Sequence, residues 1–259
     1  MHKASWTITG VMQLILKQPG SFRFRAKRLC YVHLNAGNEN SFGTKIKELL
    51  HIRDKVMISI EIFETIKQKY GDVASWAVWE DVGAKPKSNM GHLNIFDLQK
   101  NPTLLEVLKN NIVMIGLNFS RPVLPTEPFK NFHDLNPRAN DFKIRYAFRG
   151  TEFYGAYMTD VIKNLEMKDS HDVKTYLKKN PDLVQENILM LRKELSDLHA
   201  NKPILLAFGV DTYNLLNNNL RKDEYSKLIR LTHYSHQISK ENYKEEVIGQ
   251  IQIMLPTFT

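Results

Sequence analysis

Four short, continuous apolar runs, each ending in glycine or polar residues, constrain what this chain can fold into more than any other feature. A continuous apolar run of this length is typical of a strand that is buried on both faces of a parallel sheet. The runs are Asn111–Gly116, Tyr154–Asp160, Pro203–Gly209 and Leu228–Thr232.

Helical patterns alternate with these runs. The clearest follows Pro181, where Val184, Ile188, Leu191 and Leu195 recur as a single apolar stripe, with Asn180 as the expected N-cap. Further helices are predicted at 57–70, 102–110 and 240–254. This alternation predicts an α/β fold, specifically a three-layer α/β/α sandwich with a central, mainly parallel four-stranded sheet.

The positive charge is concentrated at the N-terminus. Residues 1–56 carry ten Lys/Arg and three Asp/Glu, whereas residues 57–259 are close to neutral with 26 basic and 25 acidic side chains. We therefore divide the chain into a basic N-terminal extension (1–56) and an α/β domain (57–259). The extension is interpreted as a solvated or disordered arm, as an arm with nonspecific phosphate affinity, or as an upstream translation artefact.

Several classes of protein are disfavoured by composition. Cys30 is the sole cysteine, which excludes a disulfide framework and a multi-cysteine metal site. No apolar stretch approaches the length of about 18 residues that a membrane span requires. The apolar run at 10–16 is followed by basic residues instead of a small-residue cleavage site, so we expect a cytoplasmic protein.

Polar residues lie at the ends of three of the apolar runs or directly after them. They are Asn118, Asp160 and the segment Thr232–His236. Because ligands of open α/β sheets bind beyond the carboxyl ends of the strands, these residues are candidates for one site. The alternative for each is a helix cap or a turn former.

These residues resemble the motifs of the uracil-DNA glycosylase-like superfamily. That family has Gly-(Ile/Met)-Asn-Pro-Gly after its first strand, Tyr-hydrophobic-Thr-Asn after its second, Phe-Gly after its third and His-Pro-Ser after its fourth. The corresponding segments are Gly116-Leu117-Asn118-Phe119-Ser120, Tyr157-Met158-Thr159-Asp160, Phe208-Gly209 and His233-Tyr234-Ser235, and Asn140-Asp141-Phe142-Lys143 partly matches a further motif. The chain departs from the family where Phe119-Ser120 replaces Pro-Gly, Tyr234 replaces proline and Asp160 replaces asparagine.

The resemblance implies a DNA-repair hydrolase that excises a flipped, damaged or mispaired base from DNA. By motif position Asn118 would hold the attacking water and His233 would donate a hydrogen bond to the departing base. The implied base-recognition residues are Asp160, Phe129, Phe132 and Phe119, and the implied pocket backbone is Gly116, Leu117, Ser120 and Ser235. The resemblance implies a monomer that needs no metal and no cofactor.

The replacement of asparagine by Asp160 changes which hydrogen bonds this position can offer a base. An asparagine offers uracil one donor and one acceptor, whereas a carboxylate only accepts. A buried mismatch of this kind costs about 1–3 kcal/mol, so we expect an ionised Asp160 to disfavour uracil and to favour an edge with two donors. Burial that protonates Asp160 would restore the donor.

Three alternatives remain beside base excision. The first is a noncatalytic protein of the same fold that binds nucleic acid or a nucleotide, and the second is a hydrolase of free nucleosides. A metal site at Asp160, His233 and His236 is the third. Basic side chains around the strand ends would favour DNA, and the candidates are Lys143, Arg145, Lys163 and Lys240.

Overall fold

The chain divides into two compact units, Met1–Lys55 and Val56–Thr259. The computed structural model describes residues 58–81, 92–118, 127–134, 139–163, 165, 167 and 170–256, together with the backbone of four short strands in the first unit. The division falls within one or two residues of the boundary that the charge distribution suggests.

The first unit contains a small sheet within the stretch that the sequence analysis treats as a basic extension. Its strands are β1 (Trp6–Ile8), β2 (Ile15–Gln18), β3 (Ser21–Arg23) and β4 (Cys30–Val32), in the order β2-β3-β1-β4. The pairing of β1 with β3 is parallel, and the other two pairings are antiparallel.

The second unit is built on a five-stranded, mostly parallel sheet. Its strands are β5 (Ser75–Trp76), β6 (Lys109–Asn118), β7 (Ala156–Ile162), β8 (Ile204–Phe208) and β9 (Lys227–Leu231). They lie in the order β5-β7-β6-β8-β9, and only β5 is antiparallel to its neighbour. The predicted count of four strands missed β5, since two residues are too few to show a strand pattern.

Six α-helices accompany this sheet in the part of the chain that the structure describes. They are α1 (Ile60–Tyr70), α2 (Asp141–Phe148), α3 (Ser170–Lys179), α4 (Pro181–Asp197), α5 (Val210–Asn219) and α6 (Lys240–Met254). The helix predicted at 102–110 is wrong: this region holds a short 3₁₀ turn, Leu104–Glu106, and β6 already begins at Lys109. Asn180 precedes α4, but its side chain bonds back to Tyr176 O and does not cap the helix.

Helices cover both faces of the sheet, because alternate residues of each strand enter different cores. Val113 and Ile115 of β6 pack in a first core with residues of α1, α3, α4 and α5. Ile112 and Met114 pack in a second core with residues of α2 and α6. This arrangement is compatible with the predicted three-layer sandwich.

The register of the parallel strands brings the predicted polar residues to one edge of the sheet. Gly116 of β6 lies opposite Asp160 of β7, and Phe208 of β8 lies opposite Leu231 of β9, two residues before His233.

No helix among the described residues is long and apolar enough to cross a membrane.

Candidate functional site

Asn118 is the last residue of β6, and its side-chain amide has a defined orientation. Its Nδ2 donates to the backbone oxygens of Leu165 (3.2 Å) and Met167 (2.8 Å). Carbonyl oxygens only accept hydrogen bonds, so this pairing identifies the nitrogen. Within the part of the chain that the structure describes, Oδ1 has no hydrogen-bond donor. Asn118 lies within the strand and has no positive φ, which makes the alternative of a left-handed turn residue wrong.

Asp160 lies across the ladder from Gly116 and occupies the space that a side chain there would fill. A Cβ built on Gly116 would lie 2.1 Å from Asp160 Oδ1, far inside the contact distance. The Asp160 side chain is almost fully buried. The absence of a side chain at Gly116 therefore allows a buried carboxylate to lie over the end of β6.

Asn131, which is not among the predicted site residues, holds this carboxylate. Its Nδ2 donates to Asp160 Oδ2 (3.0 Å) and to Val73 O (2.7 Å). Its Oδ1 accepts from the backbone N–H of Phe132 (3.1 Å). No local pattern marks Asn131, because its partners are distant in sequence and its own segment lies in a long connection.

Burial raises the pKa of Asp160 to about 6. The hydrogen bond from Asn131 and the positive charge of Lys163 oppose this shift, whereas the negative charges of Glu194 and Asp141 add to it. Asp160 is therefore mostly ionised at neutral pH and becomes protonated in mildly acidic solution. Asp160 lies within β7, so the alternative that it caps a helix is wrong.

His233 follows β9, and its tautomer follows from its hydrogen bonds. Its Nδ1 accepts from the backbone N–H of Ser235 (3.1 Å) and lies 2.8 Å from Ser235 Oγ. Because Nδ1 accepts, the proton of the neutral ring is on Nε2. Burial lowers the pKa of His233 to about 4, so the ring is a neutral donor at physiological pH.

Two glycines lie at the strand ends between Asp160 and His233. Strands β7 and β9 are three strand spacings apart, which separates their backbones by about 14 Å. Gly116 lies two residues before the end of β6, and Gly209 follows β8 with a φ of 89°. His233 packs on Gly209, whose Cβ would lie 3.6 Å from His233 Cβ.

The aromatic residues predicted to recognise a base, Phe129 and Phe132, lie in different cores. Phe132 is buried beside Asp160, with its Cε1 3.6 Å from the Cβ position of Gly116. Phe129 instead packs between Phe63 (5.5 Å) and Phe96 (5.0 Å) in the first core. The assignment of Phe129 to base recognition is corrected accordingly, because its ring is committed to the opposite face of the sheet.

Two of the predicted site residues, Phe119 and Ser120, lie outside the described residues. Leu117 is buried in the first core, and Ser235 contacts His233 through its backbone and its hydroxyl. The structure thus brings together Gly116, Asp160 and Phe132, and places Asn118 and the His233–Ser235 pair at the same edge of the sheet.

The predicted phosphate-binding cations are mostly buried. Lys143 donates to His236 O (2.6 Å), and Lys163 forms an ion pair with Glu194 (2.7 Å). Arg145 is 3% exposed. Only Lys240 lies near the surface, 4.8 Å from the ring centre of Tyr146, so the expectation that Lys143, Arg145 and Lys163 meet phosphates is wrong.

A cavity of about 620 Å³ lies elsewhere, beside the first core. Its described lining includes Lys67, His92, Phe96, Asp97 and Phe129, but none of the polar residues at the strand ends.

Comparisons with protein-family models, with curated proteins and with solved structures find no match for this chain.

Proposed function

We propose that this protein is a base-excision N-glycosylase with a uracil-DNA glycosylase-like fold. It would hydrolyse the N-glycosidic bond of a flipped, damaged or mispaired base in DNA, without a metal. Four motif-like segments in the expected order, on strands of one parallel sheet, support the fold. The activity is supported by the site alone.

The observation that carries the proposal is the direction of the hydrogen bonds at the carboxyl edge of the sheet. Both amide hydrogens of Asn118 are engaged, which fixes the orientation of the amide, and its Oδ1 has no hydrogen-bond partner among the described residues. Because its Nδ1 accepts from Ser235, the donor of His233 is Nε2–H, which meets no hydrogen-bond acceptor among the described residues. A hydrolytic glycosylase needs an acceptor to hold water and a donor for the departing base.

The reaction follows from these two groups. The bond between C1′ of the sugar and the base nitrogen breaks, and the base departs with the bonding electrons as an anion. The Nε2–H of His233 stabilises the negative charge that develops on a base oxygen. Water held by Asn118 Oδ1 adds to C1′, and its proton passes to solvent or to the departing base.

Asp160 would select the base. When it is ionised, its Oδ1 accepts from an N–H of the base while Oδ2 stays bonded to Asn131. This favours an edge with a second donor, not an oxygen, beside that N–H, as the N2–H₂ of guanine lies beside its N1–H. When it is protonated, the proton is expected on Oδ1, because Oδ2 faces the amide donor of Asn131. Bases that need a donor, such as uracil, should therefore be accepted better below a pH of about 6.

Oligonucleotides that each carry one lesion test the proposal. We expect the wild-type protein to release one or more of the bases, and Asn118→Ala and His233→Ala each to lower the rate by about 10²-fold or more. Matched controls are Asn110→Ala and His236→Ala. Asn110 lies at the other end of β6 with a comparable amide contact to His199 O (3.2 Å), and His236 is an exposed histidine of the same loop.

Equal losses in the catalytic variants and in their controls would contradict the assigned roles. Absence of product from every substrate, with the protein folded, would contradict catalysis. Binding of an oligonucleotide without product would instead favour the noncatalytic protein of the same fold.

A second candidate is a hydrolase of free nucleosides. The observation in its favour is the burial of Lys143, Arg145 and Lys163, which removes three cations that could have met a phosphate backbone. Free nucleosides and the corresponding oligonucleotides should be compared at equal concentrations. A higher kcat/KM for the nucleosides would replace DNA as the substrate while retaining the same site.

A further inference from the structure

The segment that contains Asn131 is tied to the chain before and within β5. Phe129 N–H donates to Gly71 O (2.5 Å), and Ser75 Oγ donates to Phe129 O (2.8 Å). Asn131 Nδ2 donates to Val73 O (2.7 Å). These contacts fix the segment against the edge of the sheet next to β7.

The backbone on either side of Asn131 is held in an uncommon conformation. Phe129 and Phe132 have φ values of 66° and 62°, a region that side chains other than glycine rarely adopt. Such conformations persist only where surrounding contacts impose them, and they occur frequently at functional sites. Here they place the Asn131 side chain against Asp160.

Asn131 has no amide hydrogen left to donate to a ligand. Both hydrogens of its amide and its oxygen are engaged, and the residue is 6% exposed. The effect of Asn131 on a ligand is therefore expected to pass through Asp160, to which it donates.

We propose that Asn131 is a positioning residue that fixes the Asp160 carboxylate, so that Oδ2 is occupied and Oδ1, lying over Gly116, is the oxygen presented to a ligand. The assignment of that ligand as a nucleobase rests on the proposed function. The positioning of the carboxylate does not, since it follows from contacts within the protein.

The pKa of Asp160 depends on the charged groups that face it and on the amide of Asn131. Lys163 contacts the backbone oxygen of Asp160 and favours the ionised carboxylate. Glu194 of α4 and Asp141 of α2 disfavour it. The Asn131 amide also favours the ionised form, because it donates to a charged oxygen. Without Asn131, the pKa of Asp160 should rise.

The test is an NMR titration of the Asp160 side-chain carbonyl in the full chain, assigned with Asp160→Asn. We expect Asn131→Ala to raise the pKa of Asp160 by about one unit, a tenfold increase in proton affinity. The matched control is Ser75→Ala, which removes a neighbouring bond to the same segment without touching Asp160. It should leave the pKa unchanged, whereas equal shifts in both variants would reduce Asn131 to a structural role.

A second measurement uses the wild-type protein and does not depend on the folding of a variant. The side-chain amide signals of Asn131 should titrate with the same midpoint as Asp160, because the acceptor oxygen changes charge. Asn131 signals that do not respond at that midpoint would overturn the proposal. Neither measurement needs a substrate, so failure of the proposed function and failure of this inference are distinguishable.

Discussion

Two buried carboxylates lie close to β7, and their surroundings differ. Glu194 is fully buried and is met by Lys163 Nζ (2.7 Å) and by Tyr157 OH (2.7 Å). Asp160 is also buried, but its side chain receives its hydrogen bond from the neutral amide of Asn131. One carboxylate is compensated by a cation in direct contact, and the other is held by an amide.

This difference separates a structural carboxylate from a candidate functional one. A buried charge with a cation and a hydroxyl in contact is satisfied within the fold, so the loss of one partner is costly. A buried carboxylate without a contacting cation has its pKa raised towards the physiological range, which is typical of sites that bind or react. The contrast can be tested by removing the partners of each carboxylate in turn.

The largest effect is expected from Lys163→Met, which leaves the charge of Glu194 buried without its cation. Loss of one partner of a buried pair costs about 3–5 kcal/mol in the free energy of unfolding. Lys163 also donates to Thr159 Oγ1 (2.8 Å) and to Asp160 O (2.6 Å), which adds to the loss. Urea unfolding of Lys163→Met and of the wild type at neutral pH measures this loss in the free energy of unfolding.

The matched control is the double variant Lys163→Met/Glu194→Leu, in which no charge remains buried at this position. We expect it to recover a large part of the stability, because well-packed apolar residues replace buried ion pairs at little cost. A double variant less stable than Lys163→Met would show that Glu194 does not depend on the cation.

The second effect is an increase in the free energy of unfolding relative to wild type, and it is expected from Asp160→Asn at neutral pH. The folded-state pKa of Asp160 is about 6, against an ordinary value of 3.8. Protonated Asp160 therefore favours the folded state fully below pH 3.8, and this contribution is lost as the pH rises through 6. A shift of about two units corresponds to about 3 kcal/mol.

Asparagine does not titrate, so the free energy of unfolding of Asp160→Asn relative to wild type should increase by about 3 kcal/mol between pH 3.5 and pH 7.5. Urea unfolding at several pH values measures the difference. Asp223→Asn is the control, because the Asp223 carboxylate is 66% exposed. A relative stability of Asp160→Asn that is flat with pH would contradict the raised pKa.

The sequence predicts the framework of this site better than its interior. The apolar runs indicate the parallel strands, and the residues that follow them indicate a shared edge, because both signals are local in sequence. Asn118, Asp160 and His233 all come from that pattern. The short β5 and the helix α2, whose Asp141, Lys143 and Arg145 are buried, do not show such a pattern.

The contacts around Asp160 depend on tertiary structure and could not be predicted. Phe129 and Phe132 look equivalent in the sequence, yet the positive φ values of this segment direct them to opposite faces of the sheet. Asn131 lies between them and acquires its role only through the oxygens of Val73 and Asp160. No periodicity in the sequence reports on such contacts.

The smallest effect on the free energy of unfolding is expected from loss of the hydrogen bond that the Tyr157 hydroxyl donates to Glu194 of α4. A second tyrosine that bonds to the same helix serves as the control. Tyr70 OH donates in the same way to Asp197 of that helix (2.8 Å), but the Asp197 side chain is 23% exposed. Tyr157→Phe should preserve the edge-on packing of the ring against Trp76 (4.9 Å) and remove only the hydrogen bond.

We expect Tyr157→Phe to lower the free energy of unfolding by about 1.5–3 kcal/mol, the range for a buried hydrogen bond to a charged group. Tyr70→Phe should cost less than about 1 kcal/mol, since water can replace the hydroxyl at Asp197. Equal losses in urea unfolding would mean that burial does not distinguish the two carboxylates. A larger loss in Tyr157→Phe would show that the buried Glu194 depends on the tyrosine hydroxyl, whereas the partly exposed Asp197 does not.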